Sequence, residues 1–330
     1  MLSKMNTRIP LIALCLLMAF GLTNCKDDAV EEPIVYNFDD DFKDIKVEAV
    51  TETEPAAVES TEASVTTSAS TEAAAQALIN GTETAELTAA KDEIASTLSE
   101  DEAAAISATL EADGELTPAQ QAQLDAILAS NTFASFLPAS VAPTVDGVEV
   151  NARKSTNSTK QVTLLNLTEM LLGVSDECSD AATASFNAVK ATLDAAKASQ
   201  DATINATFTA RQTAIAATLA TDLAAVTEKW ATQRAEAKTF RDNLFASINN
   251  PFIRVLFNGI YKAQLAAINI AEAKDIAAKN KVSTTALANA TAAKDADLAT
   301  SASNYTTALN NATATAAAAA ASCHNQGGSN

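Results

Sequence analysis

Few residues of this 330-residue chain have the types and spacing that chemistry requires. It holds four cysteines, one histidine and one tryptophan. The histidine, His324, adjoins Cys323 in a polar tail with Gly327 and Gly328. A nucleophile–histidine pair would have to use it, and this tail offers no third group to orient the ring. Cys178, Cys323 and His324 are a poor set for zinc, which takes four ligands in a structural site. No GxSxG elbow, phosphate-binding loop or dinucleotide fingerprint occurs. The 41 carboxylates are plentiful, but they lie in charge runs or alternate with lysines along alanine-rich stretches. Paired-carboxylate catalysis needs two of them fixed across a cleft. The expectation is a protein that is not an enzyme, with no catalytic residue, no metal and no cofactor.

The N-terminus carries an address. Lys4 and Arg8 precede an apolar run over 9–22. A short positive region before a short apolar core is the pattern of an export signal. The run falls short of the roughly 20 apolar residues that span a bilayer. It ends in Leu22-Thr23-Asn24-Cys25, which resembles the lipobox of bacterial lipoproteins, although Asn24 stands where Gly, Ala or Ser is usual. The resemblance implies cleavage before Cys25 and a lipid on its sulfur, so that 1–24 is a signal peptide. Lys26-Asp27-Asp28 resembles the surface-export signal of Bacteroidetes lipoproteins. That resemblance implies a protein held on the outer membrane and facing outward. No family resemblance covers the rest of the chain.

The charge is uneven. The whole chain carries 22 basic and 41 acidic residues, and loss of Lys4 and Arg8 with the signal takes the net from −19 to −21. Residues 26–150 hold 4 basic and 27 acidic residues, whereas 176–323 hold 13 of each. An acidic stalk before a neutral body has no affinity for nucleic acid or anionic lipid, both of which need positive patches. No nucleic-acid partner is expected.

Residues 25–80 are rich in Glu, Thr, Ser, Ala and Val, with one apolar island at 34–38. Such a composition buries too little to offset ordering entropy, which predicts a disordered, flexible acidic tether. Residues 81–137 read as short helices. Ser99 with Glu102 and Thr117 with Gln120 fit capping boxes, and Pro118 takes a first helical position. Two further likenesses fall here. Leu116-Thr117-Pro118-Ala119-Gln120 resembles a motif of Spy-like periplasmic chaperones, but it occurs once, in an acidic segment, and a helix start explains it better. Asp113-Gly114-Glu115 resembles part of a calcium loop, yet Thr109 and Gln120 then occupy positions that need acidic ligands. Residues 138–175, with Pro138, Pro143 and Gly147, read as a linker containing a short apolar element at 162–172.

The stretch 176–323 dominates. No proline or glycine occurs over 176–250, Asn249-Asn250-Pro251 signals a turn, and Gly259 is the only glycine over 252–323. The reading is all-α: a long antiparallel alanine-rich helical hairpin, coiled-coil-like, beside a small helical region, with a disordered tail at 324–330. Leu193, Ile204, Ile215, Val226, Ala237 and Ile248 recur every eleven residues, as do Leu265, Ile276, Leu287, Leu298, Leu309 and Ala320. Eleven residues over three turns predict a nearly straight pair. Facing rungs such as Leu193 and Leu309 sum to 502 in residue number, and Cys178 with Cys323 sums to 501. The turn, the ladders and the cysteines therefore share one register, which predicts a Cys178–Cys323 disulfide at the open end in an exported protein. Trp230 shares an eleven-residue spacing with Phe208 and Leu219, so it reads as core.

Around the turn, Phe245, Phe252, Ile253, Leu256, Phe257 and Tyr261 cover nearly every face. They are either a core roofed by the short helices or a contact tip for a partner or membrane. Taken together, the expectation is a lipid-anchored structural or interaction rod (an adhesin, spacer or envelope-complex component) with a protein partner or self-association. A membrane-acting protein using the tip, and a chaperone, are the alternatives.

Overall fold

The computed structural model describes residues 35–150 and 177–324. Two helices dominate it: α7 (Glu177–Phe245) and α8 (Pro251–His324), packed antiparallel about the 246–250 turn. The fold is all-α in class. Asn250 caps α8, its Oδ1 accepting from the backbone N–H of Phe252 and Ile253 at 3.0 and 3.2 Å. At 1.5 Å per residue each arm is about 105 Å long. Many threonines sit in these helices. Their hydroxyls donate to the carbonyl four residues back, as Thr192 does to Ala188 and Thr291 to Leu287, so each is satisfied without leaving the helix.

Cys178 and Cys323 are bonded, with Cα atoms 5.7 Å apart. Cross-arm contacts keep the expected register: Ser301 donates to Asp201, and Lys294 stacks over Phe208. The eleven-residue period holds on both arms, but the phase differs on the second. On α7 the rungs Leu193, Ile204, Val226 and Ala237 are buried. On α8 the expected rungs lie on the flank: Ile276 and Leu287 are 36% and 38% exposed. Buried instead are Ile268, Ala290, Ser301 and Ala312, and the neighbours Asp275, Asp297, Ala308 and Ala319. Small and acidic residues face inward on α8 because a third strand of chain shares the groove.

That third strand corrects the tether. The stretch 35–66 is docked: it runs extended along the hairpin, from the disulfide end toward the turn. It opens with the short helix α1 (Asp39–Phe42) and closes with the strand β1 (Ser64–Thr66). Phe42 and Val47 pack with Leu193, Ala308 and Ala312, and Ala63 and Val65 pack with Val226, Trp230 and Ile268. Such a composition predicts disorder only for a segment that must bury itself. The segment borrows the hairpin's surface instead.

The rest of the former tether and the short-helix region form a cap over the turn: α2 (Ala69–Ile79), α3 (Ala85–Thr97), α4 (Glu100–Glu111), α5 (Pro118–Leu128) and α6 (Asn131–Ala134). Both capping boxes are formed, Ser99 with Glu102 and Thr117 with Gln120, so the chaperone-like motif serves as a helix start. Gly259 allows the close approach of α5 and α6: a Cβ there would lie 3.1 Å from Leu128 Cδ2 and 3.3 Å from Phe133 Cζ.

The expected linker also differs. Over the described part of 138–175 it forms β2 (Ala139–Val141), β3 (Thr144–Val145) and β4 (Val148–Glu149). β2 pairs antiparallel with β1, and β3 with β4. The β3–β4 hairpin turns on Asp146 and Gly147, both with positive φ (51° and 75°). Asp-Gly between apolar alternations is a strong hairpin signal, and it was legible in the sequence.

Candidate functional site: the strap groove

The groove between α7 and α8 is a receptor for extended backbone, and its ligand is the chain's own strap, residues 35–66. From Glu48 to Ala63 the strap advances beside α7 from Gln200 to Lys229. Twenty-nine helical residues rise about 44 Å, and fifteen extended residues cover the same distance at about 3 Å each. The two elements therefore stay in step, and hairpin side chains meet strap backbone at regular intervals.

At the disulfide end, Gln200 Nε2 and Asn304 Nδ2 both donate to the Glu48 carbonyl, at 2.9 and 3.2 Å. Further along, the Asp297 carboxylate accepts from the Thr53 N–H at 3.0 Å and from its hydroxyl at 2.6 Å. Asn289 Nδ2 donates to the Ala56 carbonyl at 2.9 Å. Nearest the cap, Asp275 accepts from the Ala63 N–H (2.6 Å), from Trp230 Nε1 (2.9 Å) and from Lys229 Nζ (3.1 Å). Lys229 also donates to the Ala63 carbonyl and to Glu62, both at 2.8 Å. Asp275 and Asp297 are 1% and 3% exposed. A buried carboxylate without such donors would be costly, so each acid presupposes the strap.

The ionisation of this cluster is set by the same contacts. Burial disfavours the Lys229 ammonium, but its hydrogen bonds to Glu62 and Asp275 outweigh that, and its pKa is raised. The Lys229 hydrogen bond in turn holds the Glu62 carboxyl below its usual range. Lys229 also stacks 4.7 Å from the Trp230 ring. Each of these acids faces a donor from the same chain.

A second polar spot lies beneath the cap. A cavity of about 180 Å³ is lined by Leu110, Asp113, Gly114, Asn258, Tyr261, Lys262 and Leu265. Asn258 donates to Ser107 Oγ at 3.1 Å. Arg241 stacks on Tyr261, with its guanidinium carbon 4.4 Å from the ring centre, and lies 3.9 Å from Asp113. Gly114 N–H donates to the Thr109 carbonyl at 2.8 Å, which closes a turn in place of the calcium-loop likeness. Among the described residues no group of three or more His, Cys, Asp or Glu is placed to hold a metal.

The expected site residues separate into three fates. Cys25, Lys26, Asp27 and Asp28 lie outside the described residues, as does the apolar element at 162–172. Cys178 and Cys323 are joined. The proposed contact tip is a correction: Phe245, Ile253, Leu256 and Phe257 are buried at 7%, 2%, 0% and 2%, in one cluster with cap residues including Leu87, Ile106, Leu124 and Phe136. Phe252 packs against that cluster. Such a wide apolar surface is roofed by the helices next to it in the chain because exposing it to water would be unfavourable. Sequence reasoning missed Asp275 and Asp297. Their signal was available: two acids 22 residues apart, twice the repeat, each one residue ahead of an expected apolar rung.

No protein family, no curated protein and no solved structure matches this chain.

Proposed function

We propose that this is a non-enzymatic lipoprotein of the bacterial outer membrane, anchored through Cys25, whose hairpin is a rod that presents the chain at the cell surface as an adhesin, spacer or envelope-complex component. One observation carries this reading. The polar side chains that converge in the hairpin groove are engaged in holding the chain's own strap, and the lipobox-like Leu22-Thr23-Asn24-Cys25 ends ten residues ahead of that strap's first residue, Val35. The architecture is that of a stiffened rod rather than a walled cleft. The membrane-acting alternative relied on an exposed tip, whereas Phe245, Ile253, Leu256 and Phe257 are core, Phe252 lies at its edge and Tyr261 is half-buried beside a cavity. No described helix is long and apolar enough to cross a membrane. A partner, or a second copy, would bind outer faces of the rod or cap.

The test combines two measurements on intact cells. Metabolic labelling with a fatty-acid analogue should mark the wild-type chain and not Cys25→Ser. Surface proteolysis should then remove the protein from unbroken cells, and cross-linking should recover its partners. An unlabelled wild-type chain rejects the anchor, and full protease protection rejects surface display.

A further inference from the structure

We propose that the disulfide-closed end of the hairpin is the membrane-proximal end, and that the helical cap is the distal, presenting end, held away by the rod and not by a flexible tether. This rests on the lipid-anchor reading of Cys25 and adds to it the direction of the molecule.

The strap's path carries the inference. A free tether of residues 25–80 would leave the rod's orientation open, because either end of the hairpin could approach the anchor. The strap removes that freedom. Its first docked residues sit at the open end: Asp39 accepts from Ser185 at 2.8 Å, and Phe38, Phe42 and Ile45 pack with Phe186, Val189, Tyr305 and Ala316. Ser185 lies seven residues from Cys178, about 10 Å along the helix. The stretch from Cys25 to Asp39 spans at most about 50 Å even when fully extended. From Ser185 to the turn at Asn250 the rod measures about 98 Å. The leash is thus about half the length of the rod, and it is attached at one end.

Charge keeps the rod off the surface. Residues 35–66, laid along the shaft, carry nine acidic and two basic residues, and 81–137, in the cap, carry eleven and one. Both repel an anionic leaflet within a Debye length of about 8 Å. Among the described residues, the exposed large apolar side chains include Val141 and Val148 on the short strands and Ile270 and Leu287 on α8.

The experiment uses the full lipidated chain in vesicles of phosphatidylethanolamine and phosphatidylglycerol. A single added thiol takes a fluorescent donor, either at the exposed Thr183 near the disulfide (Thr183→Cys) or at the exposed Ala104 on α4 (Ala104→Cys), and the bilayer carries an acceptor lipid. Strong energy transfer from 183, and at least tenfold less from 104, is the expected result. Equal transfer from both positions, as from a rod lying flat, or stronger transfer from 104, overturns the orientation while leaving the anchor intact. Co-flotation with vesicles reads the anchor separately. A lipidated chain that fails to float removes the anchor reading and the orientation with it. Releasing the strap's first docked residues with the paired changes Phe42→Ser and Ile45→Ser should lower transfer from 183, because the leash lengthens. Unchanged transfer in that variant overturns the role given to the strap.

Discussion

Asp275 brings three hydrogen bonds into a seam otherwise built largely of alanine. Its removal leaves the Ala63 N–H, the Trp230 N–H and the Lys229 ammonium without their shared acceptor. Asp275→Ala should therefore cost about 3 kcal/mol, the order expected when one partner of a buried charged network is lost. Asp275→Asn keeps an acceptor oxygen and should cost less. Urea denaturation followed through Trp230 emission measures both, and a loss below about 1 kcal/mol for the alanine variant would contradict the role assigned to this acid. A second residue-scale expectation concerns pH. Asp194 is held below the usual carboxylate range chiefly by Lys190, with help from Tyr305, and Asp242 chiefly by Lys238, with help from Arg241. At Asp201, burial acts in the opposite direction, and hydrogen bonds from Lys197 and Ser301 outweigh it. For each, the folded pKa lies below the unfolded one. The stability they contribute is therefore present above about pH 4 and is lost as the pH falls through the lower folded values. Denaturation midpoints taken from neutral pH downward should decline in that window, and a flat profile down to about pH 3 would count against it.

At the scale of elements, the hairpin is two helices whose ends would fray without a clamp. The Cys178–Cys323 bond closes a loop with a sequence separation of 145 residues. In the chain-entropy model that closure is worth about 5 kcal/mol. Replacing both cysteines with serine should lower stability by that order. Hydrogen exchange should show protection lost first next to Cys178 and Cys323, where the bond ties the terminal turns of both helices and the buried residues beside it are Ala182 and Ala319. Uniform loss along both arms would show that the bond acts elsewhere. The helical elements were legible, because alanine content, the Asn250-Pro251 turn and two capping boxes are local signals. The phase of α8 was not. Periodicity reports which residues share a face, and the choice between the leucine face and the alanine–aspartate face depended on what else occupied the groove.

At the scale of the whole molecule, the cap and the hairpin turn form one core. Phe257 is 2% exposed within it, and Phe252 packs only partly buried at its edge. Phe257→Ser should cost about 3 kcal/mol or more, and Phe252→Ser distinctly less. Equal small effects, measured by chemical denaturation, would return these residues to the surface. The sequence by itself determined the lipobox-like N-terminal pattern, the long antiparallel hairpin, its eleven-residue period, the register and the disulfide. Each of these is written in local composition or in spacings that recur along one chain. Only the tertiary structure decided that residues 35–66 are a docked strap, that Asp275 and Asp297 bind its backbone, and that the apolar turn lies under a cap. The physical reason is shared. A segment too polar to fold alone, and an acid too costly to bury alone, become stable only against each other, and that complementarity lies between residues 244 and 212 positions apart in the chain.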